Sequence, residues 1–403
     1  MVSLSSLMGN PLDGINVLDL SQGVAGAYCT KLLAGYGADV LKIEPPNTGE
    51  STRRLGPFVD DLPGVDQSLV HLYLNTGKRS ITLDIQAVEG QEIFGRLAAE
   101  ADLIVESFIP GTMTNIGLGY EQLSGENPGL VITSITFFGQ EGPYSGYKGG
   151  EIIAQAVSGN LQITGAPDRE PLMVGGYFAQ YVGGQAACAS TLMAIFHSMM
   201  SGEGQSVDCS IAEANTDLLD RWGIDAVLGR GEQPRTGMAH HWTYPTQLYP
   251  CRDGYVALGI EPAGWGALAD MVGDDALRKP EYTGPDRKQY HADIDPILVD
   301  WLKDLGKLEV FEESQKNRMS SGILMTPEDM LESPQLQARR FFEEIEHPSV
   351  GAHMYPGAPF QLSASKWIQT RAPLLSEHTH EVLVGQLGFT ESEISDLSVM
   401  GVI

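Results

Sequence analysis

Cysteine is scarce: the 403 residues hold four, Cys29, Cys188, Cys209 and Cys251, widely spaced and with no CxxC pair. That argues against a disulfide framework or a cysteine zinc site and for free thiols in a reducing cytoplasm. No run of about 20 apolar residues occurs, so no transmembrane helix is expected. Residues 1–8 lack the basic start and long apolar core of a secretory signal, and a cytoplasmic location is expected. Basic residues are few, 25 Lys and Arg against 52 Asp and Glu, for a formal charge of −27. Nucleic acid and anionic membranes are repelled at long range. An anionic ligand would need local cations and the N–H groups of helix starts. There is no GxGxxG fingerprint, internal repeat or low-complexity stretch.

What is present is ordinary for a soluble globular chain: 42% hydrophobic and 19% charged residues, enough for one large or two moderate domains. Residues 15–20 predict a buried strand, followed by the small-residue cluster 23–27, a helix over 28–35 and a strand over 39–44 that stops at Pro45-Pro46. This is a βαβ unit with a parallel pair. The pattern recurs as a strand at 80–84, a helix at 87–99 and strands at 102–106 and 129–135. Alternation of this kind predicts an α/β fold, an open parallel sheet covered by helices. Residues 150–225 read as helical, with Gly183, Gly184, Ala186, Ala187, Ala189 and Ser190 allowing close helix packing. From 226 to 330 a strand at 255–259 and helices at 265–272 and 291–305 predict a smaller α+β domain. A helix at 330–342, strand and turn at 351–366, and two short helices within 376–402 complete the reading.

Eight segments in fixed order carry a family likeness: LDLSQ at 18–22 with Gly26, GADVLKIEPP at 37–46, NTGKRSITLD at 75–84, FIPG at 108–111, GLGY at 117–120, FGQEGPY at 138–144, GEGQSVD at 202–208 and APLLSEH at 372–378. Together they resemble the family III CoA-transferases (CaiB/BaiF-like), a family that also contains acyl-CoA racemases. The resemblance runs over nearly the whole chain. It implies a large Rossmann-like domain built from both chain ends, here 1–225 and 331–403, with a small domain at 226–330. It also implies two chains interlocked as a dimer. Coenzyme A or acyl-CoA is the implied substrate, bound on the large domain, and no metal is implied. In such enzymes an aspartate attacks the donor thioester to give a mixed anhydride. The CoA thiolate converts this to an aspartyl-CoA thioester, and the acceptor carboxylate completes the exchange.

Carried over position by position, the resemblance assigns CoA contacts to Val24, Ala25, Pro45, Leu74, Asn75, Lys78, Arg79, Ser107, Phe108, Asn115 and Lys148. Cations suit CoA phosphates, although Lys78 and Arg79 can equally be a solvated loop or ion pairs. Glu151 matches an acidic position close to the nucleophile, or is simply a carboxylate at a helix start. The departures are as informative. Gln180 stands where the family carries its aspartate, and a carboxamide is a very poor nucleophile. Ile109 and Asn115 replace arginines, and Phe137 replaces a glycine, so its ring can fill ligand space. Racemase chemistry needs a histidine and aspartate pair, and Gly150 and Gln180 occupy those positions, whatever Glu261-Pro262 contributes. His240-His241 lacks further ligands at metal spacing. Tyr177, Phe178, Tyr181 and Trp242 are candidates for an aromatic acyl pocket or for core.

Three readings remain open. In the first, the chain is the subunit lacking the aspartate in a heteromeric transferase of the benzylsuccinate type. Its partner is a homologous subunit that carries the aspartate, the donor an acyl-CoA such as succinyl-CoA, and the acceptor an organic acid such as an aromatic succinate. In the second, the chain is a homodimeric transferase using Glu151 or a ternary, non-covalent route in which Gln180 donates to an oxyanion. In the third, it is a non-catalytic CoA-binding protein.

Overall fold

Apolar runs too short for a helix and closed by Gly or Pro become strands. The computed structural model, which describes residues 9–231, 235–237, 243–284 and 286–403, sets six strands in one parallel sheet. They are β1 (Asn16–Asp19), β2 (Asp39–Glu44), β3 (Arg79–Thr82), β4 (Leu103–Glu106), β5 (Val131–Thr136) and β6 (Ser206–Ser210), ordered β3-β2-β1-β4-β5-β6. Val17 lies beside both Val40 and Leu103, which fixes the register at the sheet centre. Successive strand residues face opposite sides. Leu18, Leu41 and Ile104 therefore enter one apolar cluster, and Val17, Val40, Leu103 and Val105 the other. His240, His241 and Trp242 lie outside the described residues.

The helices up to residue 217 are α1 (Val24–Gly35), α2 (Leu69–Leu74), α3 (Val88–Ala98), α4 (Thr112–Asn115), α5 (Tyr120–Glu126), α6 (Glu151–Val157), α7 (Asn160–Ile163), α8 (Phe178–Ser201) and α9 (Ile211–Asp217). Helix α1 starts earlier than its apolar period, because Gly23 at φ 80° turns the chain directly out of β1. The small residues of α8 permit close approach. A Cβ on Gly184 would stand 2.6 Å from the Ala25 carbonyl oxygen of α1, and one on Gly183 would stand 2.7 Å from Ile211 Cγ1.

Strand β6 corrects the all-helical reading of 150–225. It is an edge strand paired with β5 alone, and its sequence SVDCS holds no continuous apolar run to announce it. At 330–342 two short helices, Pro327–Glu332 and Pro334–Ala338, are followed by β10 (Phe342–His347), which pairs antiparallel with β11 (Gly351–Pro356).

The chain divides into two compact units. The first holds residues up to Asn160, Val174–Gly223 and Arg339–Ile403; the second holds Leu161–Met173 and Ile224–Ala338. The segment Leu161–Met173, read on sequence with the larger domain, joins the second unit for a visible reason. Arg235 donates to the carbonyls of Ala166 and Arg169 at 3.2 and 2.8 Å, and Gly237 N–H donates to Gly165 at 3.0 Å. The second unit carries an antiparallel sheet of β7 (Thr246–Cys251), β8 (Gly254–Gly259) and β9 (Ser320–Ile323). Tyr249, Val256, Leu258, Trp265 and Leu298 form part of its own core.

Candidate active site

The strand order reverses between β1 and β4, and open α/β sheets bind ligands beyond the carboxyl ends of their strands at such a point. Gln22 and Ser107 stand there, one after each strand. The Ser107 hydroxyl accepts the Gln22 N–H at 2.7 Å and donates to the Gln22 carbonyl at 2.9 Å. The Gln22 side-chain oxygen accepts the Ser51 N–H at 3.0 Å, which ties a third loop to the pair.

Two cavities adjoin this clasp. One, of about 280 Å³, is lined by Ala25, Ser107, Phe137, Lys148 and Gln180 among others. The second, of about 290 Å³, is lined by Pro45, Asp84, Thr112 and Ile116 among others. Gln22 and Phe108 line both. Among the described residues lining the two cavities, Lys148 is the one cation.

Gln180 sits in the first turn of α8, whose cap residue Tyr177 offers no side-chain acceptor. Glu151, the first residue of α6, supplies it. Its Oε1 accepts the Ala179 N–H at 2.7 Å and its Oε2 the Gln180 N–H at 3.3 Å. A carboxylate suits a helix start because it meets unpaired N–H groups and the positive end of the helix dipole. Oε1 also accepts from Gln155 Nε2 at 2.7 Å, and Oε2 from Gln180 Nε2 at 3.3 Å. Each Glu151 oxygen thus has two donors. The Gln180 side-chain oxygen lies 3.7 Å from where a Cβ on Gly23 would stand. Glycine at that position serves twice, holding φ 80° and leaving bare backbone against the amide.

Beneath β1 to β3 lies a buried charged network. Asp19 accepts from Lys42 and Lys78, both at 3.1 Å, and from the Ser21 and Thr30 hydroxyls at 2.5 and 2.6 Å. Burial works to raise the Asp19 carboxyl, but Lys42, Lys78 and the two hydroxyls outweigh it and hold it far below the usual range. Glu44 receives Arg53 at 2.6 and 2.7 Å and the Ser80 hydroxyl at 2.6 Å. There too burial acts upward, while Arg53, His71 and Ser80 hold the carboxyl at about 2.

The network re-sorts the expected ligand contacts. Ala25, Ser107, Phe108 and Lys148 line the first cavity, and Pro45 with Phe108 the second. Val24 and Leu74 are core, packed with Ala27 and Tyr28. Asn75 is buried, with its Oδ1 accepting from Lys78 at 2.8 Å. Lys78 also donates to the Ala27 carbonyl at 3.0 Å, so its ammonium faces three protein acceptors. Arg79 forks onto Asp39 at 2.9 and 2.7 Å. Lys78 and Arg79 are therefore ion-paired here. Asn115 is exposed and lines neither cavity. Tyr177 and Tyr181 pack beside Tyr28 and Leu74, away from the cavities. Gln22 was not singled out as a site residue, although its place just after β1 was the available signal. Among the described residues, no group of three or more His, Cys, Asp and Glu could hold a metal ion.

Comparison with known proteins gives these geometries a context. The family model described as CoA-transferase family III matches residues 12–379. The chain is 31% identical to succinyl-CoA:(R)-benzylsuccinate CoA-transferase subunit BbsE of Thauera aromatica, over 98% of this chain and 99% of that protein. It is 34% identical to formyl-CoA:oxalate CoA-transferase of Streptomyces avermitilis, over 98% and 100%. A crystal structure of a CAIB/BAIF family protein from Brucella suis superimposes with a TM-score of 0.85 at 29% identity, covering 94% of this chain and 99% of that one.

Proposed function

The chain belongs to CoA-transferase family III, and we propose that it works as one subunit of a heteromeric enzyme. That enzyme moves CoA from an acyl-CoA donor, succinyl-CoA, to an organic acid such as an aromatic succinate. In this reading the chain's own site does not form the covalent intermediate. A homologous partner subunit supplies the aspartate, and this chain contributes scaffold.

The observation that carries the reading is Gln180. It lines the cavity at the sheet's reversal point, and its side chain is a carboxamide donating to Glu151. An amide does not displace a thiolate from a thioester as a carboxylate does. Glu151 is a poor substitute: both oxygens are engaged by helix and amide donors, and it is not among the residues lining the cavity. That BbsE is itself named as a subunit supports the heteromeric reading.

The test is an assay of succinyl-CoA-dependent transfer by the chain alone and by the chain assembled with its partner. The chain alone is expected to be inactive. In the assembly, Gln180→Ala is expected to keep the rate within about two-fold. Turnover by the chain alone would contradict the proposal.

A further inference from the structure

Phe137 follows β5, and its carbonyl accepts the Ala212 N–H at 3.1 Å, which fixes its backbone at the start of α9. Its half-buried ring packs on the cluster formed with α1 and α8 and lines the first cavity. The ring also lies over Gly149. A Cβ built at 149 would stand 2.1 Å from Phe137 Cγ and 2.5 Å from Cδ2. Phe137 Cβ stands 2.3 Å from the same point, so the side chain as a whole, Cβ and ring, occupies the space of one at 149.

This contact joins the floor of the cavity at the end of β5 to its lip at 145–149, which carries Lys148. Two residues beyond Gly149 comes Glu151, whose carboxylate holds Gln180. The ring packs on the core and over the Gly149 backbone, and also borders the cavity. The cavity it bounds, about 280 Å³, lies at the low edge of the span of about 300–1,000 Å³ usual for small-molecule pockets.

We propose that Phe137 sets the size of acyl group admitted by this chain's own site, restricting it to CoA and small acyl thioesters. The proposal rests on the thioester-site reading given above. It leaves a bulky acid to the partner's site, so the two sites of one assembly differ in size as well as in nucleophile.

Titration of acetyl-CoA and benzoyl-CoA into the full-length chain tests it, in the wild type and in Phe137→Ala, Phe137→Leu and Phe137→Trp. The wild type is expected to bind acetyl-CoA more tightly. The benzoyl-to-acetyl affinity ratio is expected to rise by about ten-fold in Phe137→Ala, by less in Phe137→Leu, and to fall in Phe137→Trp. A ratio taken within each variant is insensitive to a general loss of stability. Thermal melts supply a second measurement: Gly149→Ala is expected to lower the midpoint, and Phe137→Gly, which also removes the Cβ 2.3 Å from that position, to recover part of the loss in the double variant. Binding of both thioesters with an unchanged ratio across the series would overturn the proposal alone. No binding of either by any variant would overturn the thioester-site reading and the proposal with it.

Discussion

At residue scale, Glu151 and Lys78 are charges engaged by the protein's own groups. Glu151 caps α8 and holds the Gln180 amide. Glu151→Ala is expected to lower stability by about 1–2 kcal/mol in urea unfolding, with turnover of the assembly changed only a few-fold. A loss of turnover of about a thousand-fold with stability intact would make Glu151 a participant in the reaction. Lys78 is buried against Asp19. Lys78→Met takes a cation from a buried carboxylate and is expected to destabilise by about 3–5 kcal/mol, leaving CoA affinity in the folded protein unchanged. A ligand role would show the opposite split. Glu44, like Asp19, contributes to the acid dependence of stability. Its folded value of about 2 lies below the ordinary 4.5, so its contribution is fully present above about pH 4.5 and is lost as pH falls toward 2. The shift corresponds to about 3 kcal/mol. Unfolding free energies measured between pH 6 and 2 should fall steeply in the wild type and more shallowly in Glu44→Gln.

At the scale of elements, five strands of the parallel sheet were legible because short apolar runs such as Val17-Leu18, Leu103-Ile104-Val105 and Val131-Ile132 stand between turn residues. The strand at 39–44 and the helix at 265–272 match the structure residue for residue. Strand β6 was not legible, since Val207 is the lone aliphatic residue in it and pairing with β5 decides its conformation. The candidate site was legible in part. Gln180 and Glu151 were singled out by position, but their contact spans 29 residues and belongs to the packing of α6 against α8. The burial of Asn75 and Lys78 was not legible either, because a lysine in a loop reads alike whether water, a ligand or a buried aspartate receives it. The α1–α8 crossing offers its own check. Gly184→Ala must push α8 away from the Ala25 carbonyl, and is expected to destabilise by about 1–3 kcal/mol in urea unfolding. Because α1 and α8 begin at the cavity, CoA affinity should fall with it.

For the whole molecule, the charge of −27 opposes the approach of an anionic thioester. Salt should screen that repulsion, so stopped-flow association rates for CoA are expected to rise with ionic strength rather than fall. Similarity to the family runs over nearly the full length, and on the function proposed above the amide at 180 marks an altered site within that scaffold. That combination makes sense when a second chain carries the nucleophile. Intact-mass analysis of the chain purified natively from its own host tests this most directly. The account predicts a stoichiometric second chain of similar size with an aspartate aligned to Gln180. A pure homo-oligomer that still transfers CoA would contradict it.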